Sequence, residues 1–556
     1  MQGTLLRVVT HQLRPDDELS SGHLYWPIVP RLAALGLFIL LAIAQTWPLA
    51  RHPSVHSRVD NGDYSLNVWA VDWVARTLPV DPAHLFDANI FYPARRTLAY
   101  SEPLILQGTL AIPGIWLGLS PVLVMNLLLI AGFALSGWTF ALLVHRDTGS
   151  WAAGLVAGTA VAFSAHNLLR LAHIQALHLE LVPLVFFAIY QLLETGQKRY
   201  AVLLGAATAL QATASIYLLV FTAWATLCAG LSLVPELRRR SREALTWAAI
   251  AGVTCAVILL PILWPYFEVS RTQGLLRSMG ETRRCSATWN DYLYTGSRVH
   301  FDAWSHRFRD DSSDANFPGI VVTGLAVFGL FGTGGRGPRG RMWLGVVLGS
   351  VLLSVAPRLP GFSWLHEHVT AIGAIRCYSR AGQMALIGMA VLAGYGTARL
   401  LGAMRTRRSA AIATVAVVAL TNLEALRAPF WYRDFRGVPP IYDVLRKEAR
   451  AVVVELPIYD RRAFFANARY MINATRHRHP IVNGYSGFAP PEFDSTARGL
   501  MKFPGDEALE LMHRLGVTHV VVHPAMDGRR PAIEASHAVR LVAEDGGIAI
   551  YRVVHH

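Results

Sequence analysis

The segment VDNGDYSLNVWAVDW, residues 59–73, follows the first strongly apolar run of the chain and carries three aspartates and two tryptophans. Carboxylates beside a membrane surface are costly unless they are solvated, paired or used in chemistry. Asp60 and Asp63 come first and are the candidates for chemistry, whereas Asp72 has mostly apolar helical neighbours and is expected to be structural. The alternative interpretation is an ordinary solvated loop.

The composition surrounding this segment is that of a membrane protein. Over 556 residues the chain is 53% hydrophobic and only 16% charged, and its mean hydropathy is +0.35. A soluble globular protein is less apolar than this. The net charge of +14 comes largely from short basic clusters between apolar runs, which is typical of membrane topology signals. We therefore expect no nucleic-acid binding.

The apolar runs predict about eleven transmembrane helices, several of them shorter than the roughly 20 residues that cross a bilayer. The candidate spans are 30–50, 121–144, 151–165, 178–194, 200–213, 216–234, 246–266, 319–332, 341–356, 382–403 and 409–426.

The basic clusters orient these spans. Residues 235–243, 335–341 and 404–409 are rich in arginine and should be cytoplasmic. The apolar stretch LILQGTLAIPGIWLGL, residues 104–119, is interpreted as a helix lying in the membrane interface, because counting it as a span would break the alternation.

Four regions follow from this topology, and the first apolar run is expected to be an uncleaved anchor. They are a cytoplasmic N-terminus (1–29), a transmembrane domain (30–426) with outer loops at 51–103 and 267–318, and an extracytoplasmic soluble α/β domain (427–556). Strand-sized apolar runs at 451–457 and 517–524, and a hairpin turn at 544–547, predict the sheet of the last region.

Two further polar clusters fall on the predicted outer side. SAHNLLRLAHIQALHLE, residues 164–180, contains Arg170, His173 and Gln175, and interfacial snorkelling is the alternative to a binding role. GAIRCYSRAGQM, residues 373–384, places Arg376 and Arg380 four apart, so that in a helix both point to one side. Paired guanidinium groups suit a phosphate, although ordinary anionic headgroups would suit them equally.

Four cysteines lie far apart without metal-ligand spacing. Cys285 and Cys377 fall in two polar loops on the same predicted outer side, so a disulfide between them is compatible with an oxidising compartment. Sequence alone leaves their proximity open.

Several of these blocks together resemble the polytopic GT-C glycosyltransferases, specifically a large bacterial group of mostly uncharacterised members. The resemblance rests on GDYSLNVWAVDW (62–73), HLFDANIFYPARRTLAYSEPL (84–104) and SPVLVMNLLLIAGFALSGWTFALLVHRDTGS (120–150), and extends to AHIQALHLELVPL (172–184) and HPIVNGYSGFAPP (479–491). It implies a catalytic aspartate in the first outer loop, an interfacial helix after it, and a polyprenyl-phosphate-linked sugar as donor. Asp63 matches the position of that aspartate. Two positions depart from the group's pattern, Pro103 where a histidine is expected and Ala172 where a glycine is expected.

The resemblance and the residues together give a mechanistic hypothesis. Asp63 would take the proton of the acceptor hydroxyl, with Asp60 as support or substitute. Arg376 and Arg380 would stabilise charge on the leaving phosphate. The remaining substrate-binding candidates, which would orient sugar or acceptor, are Glu102, Arg170, His173 and Gln175. Direct displacement by one base predicts inversion at the anomeric carbon.

No cofactor is expected, although Asp60, Asp63 and Glu102 are hard oxygen ligands that suit magnesium or manganese. The expected partners are the lipid-linked donor, the bilayer and an unidentified glycan, lipid or protein acceptor, and the expected location is a bacterial plasma membrane. Two other functions stay open at this point: a transporter or flippase of lipid-linked saccharides, and a non-catalytic protein of cell-envelope assembly.

Overall fold

The computed structural model describes residues 28–57, 62–274, 277–309, 314–373 and 375–554, most of which form helices. The helices of ten or more residues are α1 (Ile28–Gln45), α2 (Asp63–Thr77), α3 (Ile105–Trp116), α4 (Pro121–Thr148), α5 (Trp151–Ala162), α6 (Val182–Thr195), α7 (Arg199–Ala214), α8 (Ile216–Ser232), α9 (Ser241–Gln273), α10 (Ile320–Leu330), α11 (Pro338–Val355), α12 (Gly382–Gly402), α13 (Arg407–Ala425), α14 (Ala468–His477) and α15 (Asp506–Leu515). Shorter helices include Ala165–Leu169, Phe362–His368 and Phe493–Leu500.

Every predicted membrane run coincides with one of the helices α1 and α4 to α13. This agreement has a physical cause, because a helix satisfies all of its backbone hydrogen bonds internally, as the hydrocarbon core requires. In the described residues, seven helices are long and apolar enough to cross a membrane, whereas α3, α6, α8 and α10 are apolar but shorter. The predicted total of about eleven spans and their orientation stay predictions.

The chain divides into two compact units, neither of which is continuous in sequence. Unit 1 comprises Met1–Arg51, Leu129–Leu259 and Leu276–Phe430, and unit 2 comprises His52–Leu128, Leu260–Leu275 and Trp431–His556. The sequence boundary predicted at residues 426 and 427 lies close to the end of unit 1. The sequence analysis did not anticipate that residues 52–128 group with the C-terminal part.

Unit 1 is a bundle whose core is built from large side chains and closely packed glycines. The ring centroids of Phe186 and Trp343 lie 4.3 Å apart, and Trp343 Nε1 donates a 2.5 Å hydrogen bond to the hydroxyl of Tyr190. A Cβ on Gly396 of α12 would lie 1.9 Å from the carbonyl oxygen of Leu325 on α10. Only glycine permits this approach, which is the usual role of small residues between membrane helices.

A disulfide joins Cys285 to Cys377 and closes a loop of 92 residues within unit 1. The pairing that the sequence left open is therefore present. It holds the segment before α12, which carries Arg376 and Arg380, against the short helix Met279–Arg284.

Unit 2 contains the α/β part that the strand-sized runs predicted. Its four strands, β3 (Val453–Leu456), β4 (His519–Val522), β5 (Val539–Asp545) and β6 (Ile548–Val553), form a sheet in the order β3-β4-β6-β5. Strands β3 and β4 are parallel, and β5 and β6 form a hairpin at Gly546 and Gly547, both with positive φ. Two short strands, β1 (His56–Ser57) and β2 (Arg433–Asp434), pair separately and tie the first loop to the C-terminal segment.

Candidate functional site

Asp63 is the first residue of α2 and owes its position to the glycine before it. Gly62 has φ 99°, and a Cβ there would lie 2.8 Å from the carbonyl oxygen of Phe465 and 3.1 Å from the Cβ of Ala468. This left-handed conformation favours glycine, and the close backbone leaves no room for a side chain. Gly62 therefore permits the close backbone packing that places Asp63 at the start of α2.

The carboxylate of Asp63 has a specific partner from the C-terminal part of unit 2. The hydroxyl of Tyr485 donates a 2.7 Å hydrogen bond to Asp63 Oδ1. The Tyr485 ring packs edge to face against Phe464 at a centroid distance of 4.9 Å. This aromatic contact and the hydrogen bond fix one oxygen of the half-buried carboxylate.

The start of α2 is anchored by a second polar contact. Tyr64 donates from its hydroxyl to Oδ1 of the buried Asn126, at 2.9 Å. Asn126 Nδ2 in turn donates to the carbonyl oxygens of Pro53 and His56, both at 2.7 Å. Asn126 thus holds the residues before α2 and the first turn of α2 together, which limits the movement of Asp63.

Asp72 lies further along α2 and is buried. Arg76 Nε donates to both of its carboxylate oxygens, at 2.9 and 3.0 Å. Burial raises the pKa of Asp72 to about 6, although the charge of Arg76 opposes the rise. Its role is an ion pair within the helix.

Glu102 also belongs to unit 2 and precedes α3. The hydroxyl of Tyr266 donates a 2.7 Å hydrogen bond to the carbonyl oxygen of the neighbouring Ser101, so this tyrosine holds the turn that carries Glu102. Glu102 itself is half-buried. Asp60, the other acidic candidate, lies outside the described residues.

Unit 1 gathers four of the predicted substrate-binding residues around one small cavity of about 20 Å³. They are Arg170, His173, Gln175 and Arg380. The cavity is also lined by His166, Ala176, Ser215, Tyr217, Leu218, Phe221 and Gln383. It has room for about one water molecule, so a larger group could only bind at its mouth.

The charge of Arg170 is already balanced. Its guanidinium is ion-paired with Asp314, which also accepts a hydrogen bond from the hydroxyl of Ser379. Burial alone would raise the pKa of Asp314, but Arg170 and His166 outweigh it, so the pKa lies well below its usual range. Both side chains are largely shielded from solvent. Arg170 is therefore a structural residue of the cavity wall.

Arg380 is a second cation of this cavity and, unlike Arg170, belongs to none of the ion pairs among the described residues. Its guanidinium carbon lies 4.8 Å from the centroid of the Tyr217 ring, and its Nε has no hydrogen-bond partner among the described residues. His173 nearby is held neutral, because burial, followed by the charges of Arg380 and Arg170, lowers its pKa well below the usual range. The cavity therefore presents a guanidinium and a neutral imidazole.

Arg376 is not among the residues that line this cavity, and the helical spacing assumed for Arg376 and Arg380 is absent. The prediction that both point to one side assumed this spacing, but residues 375–377 are not helical, and Cys377 has φ −113° and ψ 89°. Arg376 is half-exposed and its Nε lies 2.9 Å from a carboxylate oxygen of Glu281. The two arginines therefore have different partners.

Three contributors were missed by sequence reasoning. Tyr485 lies in the segment 479–491, which carried part of the resemblance but was given no site residue, Asp314 lies in an outer loop rich in aspartate, and Gln383 follows Arg380 by three positions. Gln383 Nε2 donates to Asn167 Oδ1 and to the carbonyl oxygen of Ala176, both at 2.7 Å. No sequence signal connects Tyr485 to Asp63.

For metals, the described part of the chain holds no group of three histidine, cysteine or acidic side chains with suitable geometry.

Comparison with solved structures identifies the fold. The chain is similar to the arabinofuranosyltransferase AftD from Mycobacteria, with a TM-score of 0.56, 14% sequence identity and coverage of 95% of this chain. It spans 41% of the length of AftD. No protein-family model and no curated protein matches the chain.

Two other solved structures have lower similarity. The oligosaccharyltransferase AglB from Archaeoglobus fulgidus, in complex with an inhibitory peptide and a dolichol-phosphate, has a TM-score of 0.47, 13% identity and coverage of 94% of this chain and 74% of its own. ArnT from Cupriavidus metallidurans, bound to undecaprenyl phosphate, has a TM-score of 0.45, 12% identity and coverage of 95% and 98%.

The chain thus has the GT-C fold of polytopic membrane glycosyltransferases, as the sequence resemblance implied. Among the solved structures named above, AftD is the one whose similarity supports this fold assignment.

Proposed function

We propose that the protein is a membrane glycosyltransferase that moves a sugar from a polyprenyl-phosphate donor to an acceptor hydroxyl at the outer face of the membrane. The observation that carries the proposal is Asp63 at the first position of α2, fixed by Gly62 and by the hydroxyl of Tyr485. A half-buried carboxylate in a fixed position is the kind of group that takes the proton of a hydroxyl in general-base catalysis. The GT-C fold supports the class of reaction.

Asp63 acts as the general base in this proposal. Its carboxylate takes the proton of the acceptor hydroxyl while the acceptor oxygen attacks the anomeric carbon. The bond between that carbon and the phosphate oxygen breaks, and the phosphate leaves with the electron pair. Because a lipid phosphate is a weak base, its departure needs little acid assistance. One displacement inverts the configuration at the anomeric carbon, in contrast to the paired carboxylates of retaining hydrolases.

Unit 1 supplies a candidate for phosphate binding that can be tested by itself. Arg380 presents an Nε without a described partner, and the neutral His173 stands in the same cavity. A guanidinium forms strong, forked hydrogen bonds with phosphate oxygens and keeps its charge. We assign Arg380 to the donor phosphate, and His173, Gln175 and Glu102 to the orientation of sugar or acceptor.

The direct test is transfer in proteoliposomes. The purified full chain is supplied with a panel of radiolabelled undecaprenyl-phosphate monosaccharides and a membrane extract as acceptor, and label is separated into lipid and non-lipid fractions. Protein-free liposomes and heat-inactivated protein are the controls. The proposal predicts that label leaves one of the lipids and that the product has the inverted anomeric configuration.

Two outcomes would contradict the proposal. Labelled lipid that crosses the bilayer without transfer would indicate a transporter of lipid-linked saccharides. Retention of every label on its lipid and on its original leaflet would exclude a polyprenyl-phosphate donor from the panel and leave the non-catalytic alternative.

A further inference from the structure

Unit 2 contains a second cavity, which the proposed transfer reaction does not use. Its volume is about 440 Å³, and four arginines stand in its wall: Arg76, Arg446, Arg476 and Arg478. The remaining lining is Gly118, Leu119, Ser120, Pro121, Val122, Phe435, Gly437, Val438, Ile472 and Thr475. We call it the arginine cavity. It combines strong positive charge with apolar surface.

The carboxylates near the arginine cavity do not balance its charge. Arg76 is paired with Asp72 at 2.9 Å. Arg476 Nε lies 3.0 Å from Asp443 Oδ1, and Arg446 shares the same carboxylate at 3.5 Å. Two carboxylates thus face four guanidinium groups.

Arg478 accounts for much of the excess charge. It follows the last residue of α14 with φ 66°, is exposed, and belongs to none of the ion pairs among the described residues. Burial of part of its side chain is the main cause that lowers its pKa; the charge of Arg76 lowers it further, and the charge of Asp72 opposes the change. An anionic ligand would relieve the repulsion between the guanidinium groups of Arg478 and Arg76.

The position of the arginine cavity indicates a ligand from the membrane. Ser120, Pro121 and Val122 of its wall begin α4, a 28-residue helix apolar enough to cross a bilayer. Trp116 and Leu117 directly precede Gly118 of the wall and are 57% and 82% exposed, so they add exposed apolar surface next to it in the chain; we call these two residues the apolar rim. The first turn of α4 adds the positive end of the helix dipole.

The arginine cavity is distinct from the position of the proposed base. Arg76 and Asp63 lie on the same helix, 13 residues apart, which at 1.5 Å per residue corresponds to about 20 Å. A ligand phosphate among the four arginines therefore does not contact Asp63 directly.

We propose that the arginine cavity binds the phosphate group of a membrane lipid, with the lipid chains directed along the apolar rim formed by Trp116 and Leu117. Either an anionic phospholipid or a polyprenyl phosphate supplies this chemistry. The site goes beyond the transfer reaction, because binding requires neither Asp63 nor a sugar.

Native mass spectrometry of the purified full chain in a non-ionic detergent tests the proposal. The protein is titrated separately with phosphatidylglycerol, undecaprenyl phosphate, diacylglycerol and inorganic phosphate. The test variant combines Arg446→Gln with Arg478→Gln, and Arg462→Gln is the matched control, because Arg462 is an exposed arginine of the same unit. We expect the test variant to bind at least one phosphate-bearing lipid roughly 10-fold more weakly or worse, and the control to bind like the wild type.

The separate titrations also identify which lipid supplies the phosphate group. A loss confined to undecaprenyl phosphate or to phosphatidylglycerol identifies that lipid as the ligand. Equal binding by the test variant and the wild type would overturn the proposal, as would diacylglycerol binding as tightly as phosphatidylglycerol, or inorganic phosphate binding where neither lipid does. The single variant Arg478→Gln repeats the test with an exposed side chain if the double variant does not fold. Lipid binding is measured without sugar transfer, so this result can be interpreted even if the transfer assay fails.

Discussion

The hydroxyl of Tyr485 donates a 2.7 Å hydrogen bond to Oδ1 of Asp63, joining two residues that are 422 positions apart in the chain. A hydrogen bond to a carboxylate is strong and directional. Tyr485 therefore holds one oxygen of the proposed base in a fixed position.

Replacing Tyr485 by phenylalanine should slow transfer, because the proposed base loses the contact that positions it. A hydrogen bond to a charged group contributes about 1.5 kcal/mol or more, which corresponds to about a 10-fold change in rate. We expect kcat/KM for transfer to fall by about 10-fold in Tyr485→Phe. The control is Tyr470→Phe, whose hydroxyl donates to the carbonyl oxygen of Pro457 at 2.9 Å. An unchanged kcat/KM in Tyr485→Phe would show that Tyr485 does not position the base.

Arg380 and Arg376 form a matched pair for the phosphate assignment. Both are arginines of one short segment, but Arg380 lines the cavity of unit 1 and Arg376 is paired with Glu281. We expect Arg380→Gln to lower kcat/KM for the lipid donor by about 10-fold to 100-fold, as the loss of a charge-assisted hydrogen bond implies. Arg376→Gln should lower it by less than about 3-fold. A larger loss of kcat/KM in Arg376→Gln than in Arg380→Gln would assign phosphate binding to Arg376 instead.

Arg376 also illustrates where sequence reasoning reached its limit. The helices were predictable because apolar runs in a bilayer have almost no alternative to helix, and the β5–β6 hairpin was predictable from its Gly-Gly turn. The positions of Arg376 and Arg380 depend on the non-helical residues 375–377 and the 3-10 helix Tyr378–Ala381 that follows, which the helical periodicity does not describe. The contact between Tyr485 and Asp63, and the grouping of residues 52–128 with the C-terminal part, depend on tertiary packing over hundreds of residues.

The buried pair of Arg170 and Asp314 should be a major determinant of stability. Asp314→Asn would leave a buried guanidinium without its counter-charge, which typically costs about 3 to 5 kcal/mol. We expect a large fall in the thermal unfolding midpoint of the purified protein. The double variant Arg170→Met, Asp314→Leu should be less destabilised than Asp314→Asn, because no unpaired charge remains. If the single variant unfolds like the wild type, the pair is not structural.

Asp72 should contribute a distinct pH dependence of stability. Its pKa is raised to about 6 in the folded protein from 3.8, chiefly by burial. Between pH 6 and about 4 the folded state binds a proton that the unfolded state does not, so this group's contribution to stability rises as the pH falls. Above pH 6 the buried carboxylate is charged and that contribution is lost.

The measurement for Asp72 is the unfolding midpoint of wild type and Asp72→Asn across pH 4.5 to 7.5, with Asp81→Asn as the exposed control. The difference between wild type and Asp72→Asn should change with pH in that window, by about 3 kcal/mol at most. Curves that stay parallel throughout would show that Asp72 has an ordinary pKa.

The most direct test of the account is the initial rate of sugar transfer by Asp63→Asn in proteoliposomes, with the donor that the wild type uses. Asp81→Asn is the matched control, because Asp81 is an exposed aspartate in the same part of unit 2. General-base catalysis contributes about 10² to 10⁴ in rate, so we predict a loss of that size in Asp63→Asn and wild-type transfer in Asp81→Asn. Equal rates in the two variants would show that Asp63 is not the base.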